Sequence, residues 1–201
     1  MFEIELKAHI DNPEECKKSL SAFGSEGEAF SKEDSYWVVP SSRAVPADNL
    51  GRLPTKVNIS GLRIRRERTG EKELVLVSWK KKEKRDELEI NEENEFELNS
   101  SSAKDYGAKN FEKLLVLLGF EKKLSKQKKG WIWQYNGITA ELCEVSGIKN
   151  LGWFLELEIM AAENSAQTIA AAREKLLAML EKSGIGKEKI ENRYYTDMLQ
   201  D

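Results

Sequence analysis

The chain has 201 residues, of which 33% are charged, yet its formal net charge is only −3. Acidic and basic residues are therefore interspersed, which argues against a general nucleic-acid or membrane-binding surface. The length suits a single domain, residues 1–201, with a core that needs no disulfide or metal to fold. The two cysteines form neither a disulfide framework nor a metal-binding spacing, and no apolar run reaches the ~18 residues of a membrane span. We therefore expect a soluble, cytoplasmic protein.

The first half of the chain consists mainly of strand patterns. Glu3-Ile4-Glu5-Leu6-Lys7 predicts a strand, because a period of two separates its charged face from its apolar face. Asn12-Pro13 predicts the start of a helix, with Asn12 as the N-cap, and Gly24 ends it. Further strands are predicted at 28–39, 62–67 and 74–79. A long loop, 40–60, contains three of the four prolines, and loops of this length are usually functional lids or disordered.

The second half adds strands and two longer helices. The helices are predicted at 103–118 and 163–182 from apolar residues at helical spacing. Asn136-Gly137 predicts a hairpin turn. The predicted strands are 91–98, 120–129, 131–135, 138–145 and 154–159, and a short ordered segment follows at 193–199. Eight or nine strands with short connections favour an α+β protein built on an antiparallel β-barrel with flanking helices.

Five predicted strands carry rows of charge on one face. They are Glu3/Glu5/Lys7, Arg63/Arg65, Glu93/Glu95/Glu97, Lys126/Lys128 and Glu156/Glu158. On a half-exposed antiparallel sheet such rows are usually the solvent face. The rows are largely sorted by sign, however, and a second interpretation places them inside the barrel. Carboxylates facing one cavity would then suit Mg²⁺ or Mn²⁺, and the basic rows would bind a polyphosphate.

The same residues resemble the CYTH superfamily, the triphosphate tunnel metalloenzymes. Glu3-Ile4-Glu5-Leu6-Lys7 is similar to the Glu-x-Glu-x-Lys signature of that family. Further similar motifs follow in the family order across almost the whole chain: Asp34-Ser35-Tyr36, Leu62-Arg63-Ile64-Arg65, Val77-Ser78-Trp79-Lys80, Glu93-Asn94-Glu95, Lys126-Gln127-Lys128, Glu156-Leu157-Glu158 and Tyr195-Thr196-Asp197-Met198-Leu199.

The resemblance implies an eight-stranded antiparallel barrel whose tunnel holds a small-molecule triphosphate. By this resemblance the metal ligands for Mg²⁺ or Mn²⁺ would be Glu3, Glu5, Glu156 and Glu158. The phosphate-binding residues would be Lys7, Arg63, Arg65, Lys80, Lys126 and Lys128. Lys7, Glu93 and Glu95 would take part in catalysis, the two acids by holding metal or orienting water and basic residues. The resemblance also allows a homodimer and implies no nucleic-acid or membrane partner.

Three positions depart from the family pattern. Lys128 stands where Arg is usual, which keeps the charge but loses the bidentate guanidinium. Asn91 stands in place of a common Arg. Cys143 stands at the usual Asp position, and the adjacent Glu144 would face the other way in a regular strand. The last departure leaves open a degenerate member that binds triphosphate or polyphosphate without turning it over.

Two reactions fit the same predicted site. A triphosphatase directs water at the terminal phosphorus, whereas a class IV-type adenylate cyclase uses the 3′-hydroxyl of ATP and releases pyrophosphate. The best-known cyclase members have a His before the first Glu of the signature. No His precedes Glu3 in this sequence, which favours hydrolysis. The loop 40–60 would cap one end of the tunnel and influence which triphosphate is accepted.

Overall fold

Eight antiparallel strands close into a barrel in a computed structural model that describes residues 1–23, 27–40, 61–98 and 106–201. In chain order they are β1 Phe2–Ile10, β2 Glu28–Val38, β3 Leu62–Thr69, β4 Lys72–Arg85, β5 Leu88–Glu97, β6 Glu121–Tyr135, β7 Ile138–Ser146 and β8 Asn150–Ala161. Around the barrel the order is β1-β5-β4-β3-β2-β6-β7-β8, so the first strand closes the barrel by pairing with the last. The predicted antiparallel barrel is confirmed.

In the described residues four α-helices accompany the barrel: α1 Pro13–Ser21, α2 Tyr106–Leu117, α3 Ala166–Lys182 and α4 Tyr195–Met198. The predicted N-cap is confirmed, since the Asn12 side chain accepts a hydrogen bond from the Glu15 backbone N–H at 3.2 Å. A single 3₁₀ turn, Lys187–Lys189, precedes α4. Residues 41–60 of the predicted loop 40–60, the predicted helix end at Gly24 and the first residues of the predicted helix 103–118 lie outside the described residues. Within the described part of the chain, no helix is long and apolar enough to cross a membrane.

The main hydrophobic core lies outside the barrel, between its wall and the helices α1 and α3. Ile4 and Leu6 of β1 are fully buried there and join Leu20 of α1 and Leu176 and Leu180 of α3 in one cluster. In an ordinary surface sheet the charged face of a strand meets the solvent. In β1 it is instead the apolar face that lies on the outside of the barrel, covered by the helices. Because successive side chains point to opposite faces, burying the apolar row against the helices turns the charged row into the barrel.

A second apolar cluster lies inside one end of the barrel. Phe30, Cys143, Val145 and Phe154 pack there against Tyr195 and Met198 of α4. The segment before α4 is tied to β1 by a hydrogen bond from the Glu191 backbone N–H to the Lys7 carbonyl at 2.9 Å. This short C-terminal helix therefore covers the end of the barrel at which β1 finishes.

The separation of residues 120–129 and 131–135 into two strands is wrong. They form one 15-residue strand, β6, with Gly130 in its middle. A Cβ at Gly130 would lie 1.9 Å from the Leu142 carbonyl oxygen and 2.7 Å from the Cys143 Cα. Glycine in a strand often marks such a close backbone approach. Here it permits β6 to bend against β7 without a break, and the strand count is eight rather than nine.

Gly130→Ala should destabilise the barrel, because the new methyl group would meet backbone atoms of β7 that cannot move independently. We expect a loss of about 1–3 kcal/mol in the free energy of unfolding, as for other overpacked sites. Urea denaturation followed by tryptophan fluorescence measures this loss. Gly186→Ala is the matched control, since its Cβ would meet only the carboxylate end of the Glu188 side chain. Equal stability of the two variants would contradict the close approach at Gly130.

Candidate active site

A cavity of about 670 Å³, including its open mouth, occupies the barrel interior. Charged side chains from all eight strands form most of its wall. Its acidic residues are Glu3, Glu5, Glu89, Glu141, Glu156 and Glu158, and its basic residues are Lys32, Arg63, Arg65, Lys80, Lys82, Lys126 and Lys128. Tyr194, Tyr195 and Thr196 add a wall from the C-terminal segment. The second interpretation, that the charge rows face the interior, is correct for four of the five rows, whereas none of Glu93, Glu95 and Glu97 lines the cavity.

The two arginines of β3 are held rigidly by neighbouring acceptors. Arg65 donates from Nε and Nη2 to the two carboxylate oxygens of Asp34, at 2.7 and 3.0 Å. Arg63 donates from Nε to the Ser78 hydroxyl at 3.0 Å and from Nη2 to Glu93 at 2.8 Å. Burial alone would raise the pKa of Asp34, but the charges of Arg65, Lys126 and Arg63 hold it well below its usual value. Both guanidinium groups therefore have fixed planes.

Several lysines cross the cavity to reach carboxylates. Ion pairs join Lys80 to Glu3, Lys128 to Glu156 and Lys32 to Glu141. Burial raises the pKa of Glu3, yet the Lys80 ammonium and the Arg63 guanidinium reverse this effect and lower it to about 2. Glu3 is therefore ionised at neutral pH. These pairs neutralise buried charges that would otherwise be costly to remove from water.

Two carboxylates of the cavity have no such neutralisation. Glu5 lies directly opposite Glu158 across β1 and β8, and opposite Glu89 across β1 and β5. Among the residues described, neither Glu5 nor Glu158 makes a hydrogen bond or ion pair. Burial, with the charges of Glu3 and Glu5, raises the pKa of Glu158 to about 9, and burial with the Glu156 charge raises that of Glu5. Like charges in directly opposed positions destabilise a sheet, so this region favours a proton or a cation.

Lys82 is a cation of the cavity without a carboxylate partner among the described side chains. Its Nζ lies 4.4 Å from the centre of the Tyr194 ring. Burial and the charges of Lys126 and Lys80 lower its pKa to about 8. An anion placed between these lysines would relieve their mutual repulsion.

Nine of the twelve site residues predicted from the sequence line the cavity together: Glu3, Glu5, Arg63, Arg65, Lys80, Lys126, Lys128, Glu156 and Glu158. Lys7, Glu93 and Glu95 do not line it. Lys7 is buried beside Glu89, with which it forms an ion pair. Glu93 binds Arg63 and, at 3.0 Å, the Nζ of Lys80, whereas Glu95 lies 3.6 Å from Arg63. These three residues stand next to the lining side chains.

The sequence interpretation missed several residues of the wall. They are Lys32, Lys82 and Glu89, on strands where another charged residue had already marked the interior face, and Glu141, on a strand where only Cys143 had been noted. Lys82 and Glu89 lie in the charged stretch 80–90, where the exact register of β4 and β5 could not be chosen from composition. The signal that could have found Glu141 is its position two residues before Cys143, on the same face of β7.

The position of Glu141 bears on the departure noted at Cys143. Glu144 faces away from the interior, as expected, and accepts a hydrogen bond from the Asn150 side chain at 2.7 Å. Glu141 instead supplies β7 with an interior carboxylate, opposite Glu156 on β8. Burial opposes its ionisation, but Lys32 and Lys128 lower its pKa. The interior face of β7 is therefore acidic despite the cysteine.

Comparison with protein families gives a match to the CYTH domain over residues 1–195. The chain belongs to the CYTH domain family. Its family membership and its barrel agree with the resemblance drawn from the sequence motifs. A comparison with curated proteins found no significant match.

Solved structures with the same fold cover nearly all of this CYTH domain. The PH1819 protein from Pyrococcus horikoshii OT3 is 25% identical over 98% of both chains, with a TM-score of 0.74. A Vibrio parahaemolyticus protein proposed to be an adenylate cyclase is 17% identical over 100% of this chain and 99% of its own, with a TM-score of 0.73. The Hippeastrum protein HpAC1, described with a dominant triphosphatase activity, is 13% identical over 99% and 94% of the two chains, with a TM-score of 0.56.

The raised pKa of Glu158 predicts how stability depends on pH. Its ordinary pKa is 4.5 and its folded value is about 9, so between these values the folded protein keeps a proton that the unfolded chain has lost. This contribution to stability is fully present below pH 4.5 and is lost as the pH rises towards 9. Glu158→Gln mimics the protonated acid, so its Tm in metal-free buffer should exceed that of the wild type increasingly as the pH rises through this window.

Glu174→Gln is the control for this experiment, because Glu174 is exposed on α3, away from the cavity. Its Tm difference from the wild type should stay constant over the same window. A Glu158→Gln curve parallel to that of the wild type would contradict the proposed carboxylate repulsion.

Proposed function

We propose that the cavity binds the triphosphate group of a small molecule and that the protein is a divalent-metal-dependent triphosphatase. The observation that carries this proposal is the convergence of seven basic side chains and six carboxylates on one buried cavity. Retaining so many buried charges is costly unless a ligand uses them. A triphosphate complements the bases, and a divalent cation complements the unpaired acids.

The basic residues would bind the phosphates in two ways. Arg63 and Arg65 present fixed guanidinium groups, which match phosphate oxygens in pairs. Lys80, Lys82, Lys126 and Lys128 would act as point charges along the chain of phosphates. Glu93 would serve as a positioning residue, because it binds both Arg63 and Lys80 without lining the cavity itself. Glu95 would support Arg63 in the same way, and Lys7 would hold Glu89 in place.

The carboxylates fit a hard divalent cation in their chemistry. Among the described residues, no three acidic, cysteine or histidine side chains are grouped as a preformed metal site. Among the described residues Glu5 and Glu158 have no ion-pair partner, however, and the cations paired with Glu3 and Glu156 are Lys80 and Lys128. If these lysines turn to phosphate oxygens, all four carboxylates become available. Mg²⁺ or Mn²⁺ held by Glu3, Glu5, Glu156 and Glu158 would neutralise phosphate charge and make an attacking water more acidic.

Hydrolysis would transfer the terminal phosphoryl group to water. The new P–O bond forms to the water oxygen, the bond to the bridging oxygen breaks, and the bases stabilise the negative charge that collects on the leaving phosphates. HpAC1, with its described triphosphatase activity, supports the compatibility of the fold with hydrolysis.

A substrate panel tests the reaction. Purified protein with Mg²⁺ or Mn²⁺ should release inorganic phosphate from at least one of ATP, thiamine triphosphate and tripolyphosphate, and chelation by EDTA should stop the release. The same samples are assayed for cyclic AMP and pyrophosphate. Cyclic AMP from ATP would replace hydrolysis by the cyclase reaction. Tight binding of a triphosphate without any product would indicate a binding module.

Arg63→Ala should lower the rate of phosphate release by at least about 100-fold, as expected for the loss of one preorganised charge on the transition state. Arg68→Ala is the matched control on the same strand, because Arg68 is exposed and pairs with Glu73 on the outer surface. Circular dichroism confirms that both variants are folded. Wild-type rates in Arg63→Ala would contradict the assignment of the cavity as the active site.

A further inference from the structure

Tyr195 enters the barrel from the C-terminal helix α4. It is 7% exposed and lines the cavity together with the charged side chains. Its ring packs edge-on against Phe154, with 5.0 Å between the ring centres, and it belongs to the apolar cluster around Cys143 and Val145. The ring is therefore fixed by packing at the place where the apolar cluster meets the charged cavity.

The hydroxyl group of Tyr195 is buried and, among the described residues, makes no hydrogen bond of regular geometry, although the Glu156 carboxylate acts on it as a weak acceptor. Burial, followed by the nearby Glu156 carboxylate, raises its pKa well above the usual value, so the group remains a neutral phenol that can donate a proton to a hydrogen bond. Buried polar groups in proteins are nearly always satisfied, and an exception requires an explanation. A ligand that binds only in the working enzyme is such an explanation.

Three cations surround the Tyr195 ring. The Nζ atoms of Lys7 and Lys126 lie 5.1 Å from its centre, and the Nζ of Lys128 lies 5.5 Å away. Lys126 and Lys128 also line the cavity. An acceptor that approaches the ring from the cavity therefore has Lys126 and Lys128 as neighbours, and if these lysines leave Asp34 and Glu156 to bind it, they favour an anion over a neutral group.

Two other buried polar atoms of the described cavity wall make no hydrogen bond, and both are acceptors, although one of them, in Glu141, lies 3.5 Å from the Nζ of Lys128. They are Oδ1 of Asn91 and Oε2 of Glu141, and both are buried. The remaining unpartnered atoms among the described side chains, Nε1 of Trp133 and Nε of Arg173, belong to residues outside the cavity wall. Among the buried side-chain atoms of the described cavity wall, the Tyr195 hydroxyl is thus the donor without a regular hydrogen bond, and its complement is an oxygen acceptor.

We propose that Tyr195 is a substrate-binding residue whose hydroxyl donates a hydrogen bond to a phosphate oxygen of the bound triphosphate, beside Lys126 and Lys128. This inference rests on the proposed function and adds to the site a group from outside the barrel strands. It gives α4 a role in substrate binding as well as in covering the barrel end. The competing acceptor is Glu156, which already binds Lys128 through Oε2 and lies 3.9 Å from the Cys143 sulfur through Oε1.

Tyr195→Phe distinguishes a phosphate acceptor from Glu156 as the acceptor. It removes the hydroxyl and keeps the ring that packs on Phe154. Tripolyphosphate binding is measured by isothermal titration calorimetry with Ca²⁺ in place of the catalytic metal, and the Tm of the ligand-free protein is measured in parallel. We expect binding to weaken by about 10- to 100-fold, the range for hydrogen bonds to charged groups. The ligand-free Tm should stay equal to that of the wild type or rise, since no hydrogen bond of regular geometry is lost.

The matched control is Tyr135→Phe, because Tyr135 packs against Phe23 outside the barrel. Its tripolyphosphate affinity should equal that of the wild type. Equal affinity in Tyr195→Phe, or a lower ligand-free Tm or failure to fold in that variant, would overturn the role of Tyr195 and leave the proposed function in place. A wild-type protein that binds no tripolyphosphate, ATP or thiamine triphosphate would overturn both.

Discussion

The organisation of this protein depends on the cost of placing charge inside a barrel. A carboxylate or ammonium group removed from water must find an opposite charge, a hydrogen-bonding partner or a proton. The structure uses all three solutions: Asp34 holds Arg65 and Lys126, Ser78 and Glu93 hold Arg63, and Glu158 retains its proton at neutral pH. The apolar residues that alternate with these charges consequently face outward, where α1 and α3 cover those of β1 and α2 packs against Ile64 and Val77. The position of the helices thus follows from the charge of the interior.

The positive and negative charges of the cavity are paired only in part. Lys82 has no carboxylate partner in the described chain, whereas Glu5 faces Glu158 and Glu89. A cation without a partner and a cluster of carboxyl groups that resist ionisation are therefore both present, on different strands. One ligand of either sign alone would correct half of this imbalance. A metal–triphosphate complex carries both signs, which is why the same cavity supports the joint binding of an anion and a cation.

Much of this arrangement could be predicted from the sequence, because strand alternation is a short-range pattern. The row Glu3, Glu5, Lys7 and the row Arg63, Arg65 each determine a face without reference to the rest of the chain. What alternation leaves open is which face is inside, and the ordered family motifs supplied that answer. Lys82, Glu89 and Glu141 were missed because their neighbours are also charged or because a cysteine drew attention to a different position of β7. The sequence interpretation ended one strand at Gly130 and began another after it. The glycine is in fact needed because the backbone of β7 comes too close for a side chain, and the sequence of β6 alone does not show this approach.

The pairing of β1 with β8 has a consequence for how the protein folds. Residue 2 pairs with residue 161, and residue 10 with residue 153, so the barrel wall cannot close until most of the chain has been synthesised. The bond between Glu191 and Lys7 extends this dependence almost to the last residue. Contacts of such high sequence separation slow folding, since the loop entropy is lost before the contacts compensate for it. On the ribosome, the strands of the nascent chain would therefore expose both their charged and their apolar faces until the C-terminal segment emerges. A chain truncated before β8 would be a substrate for chaperones and proteases.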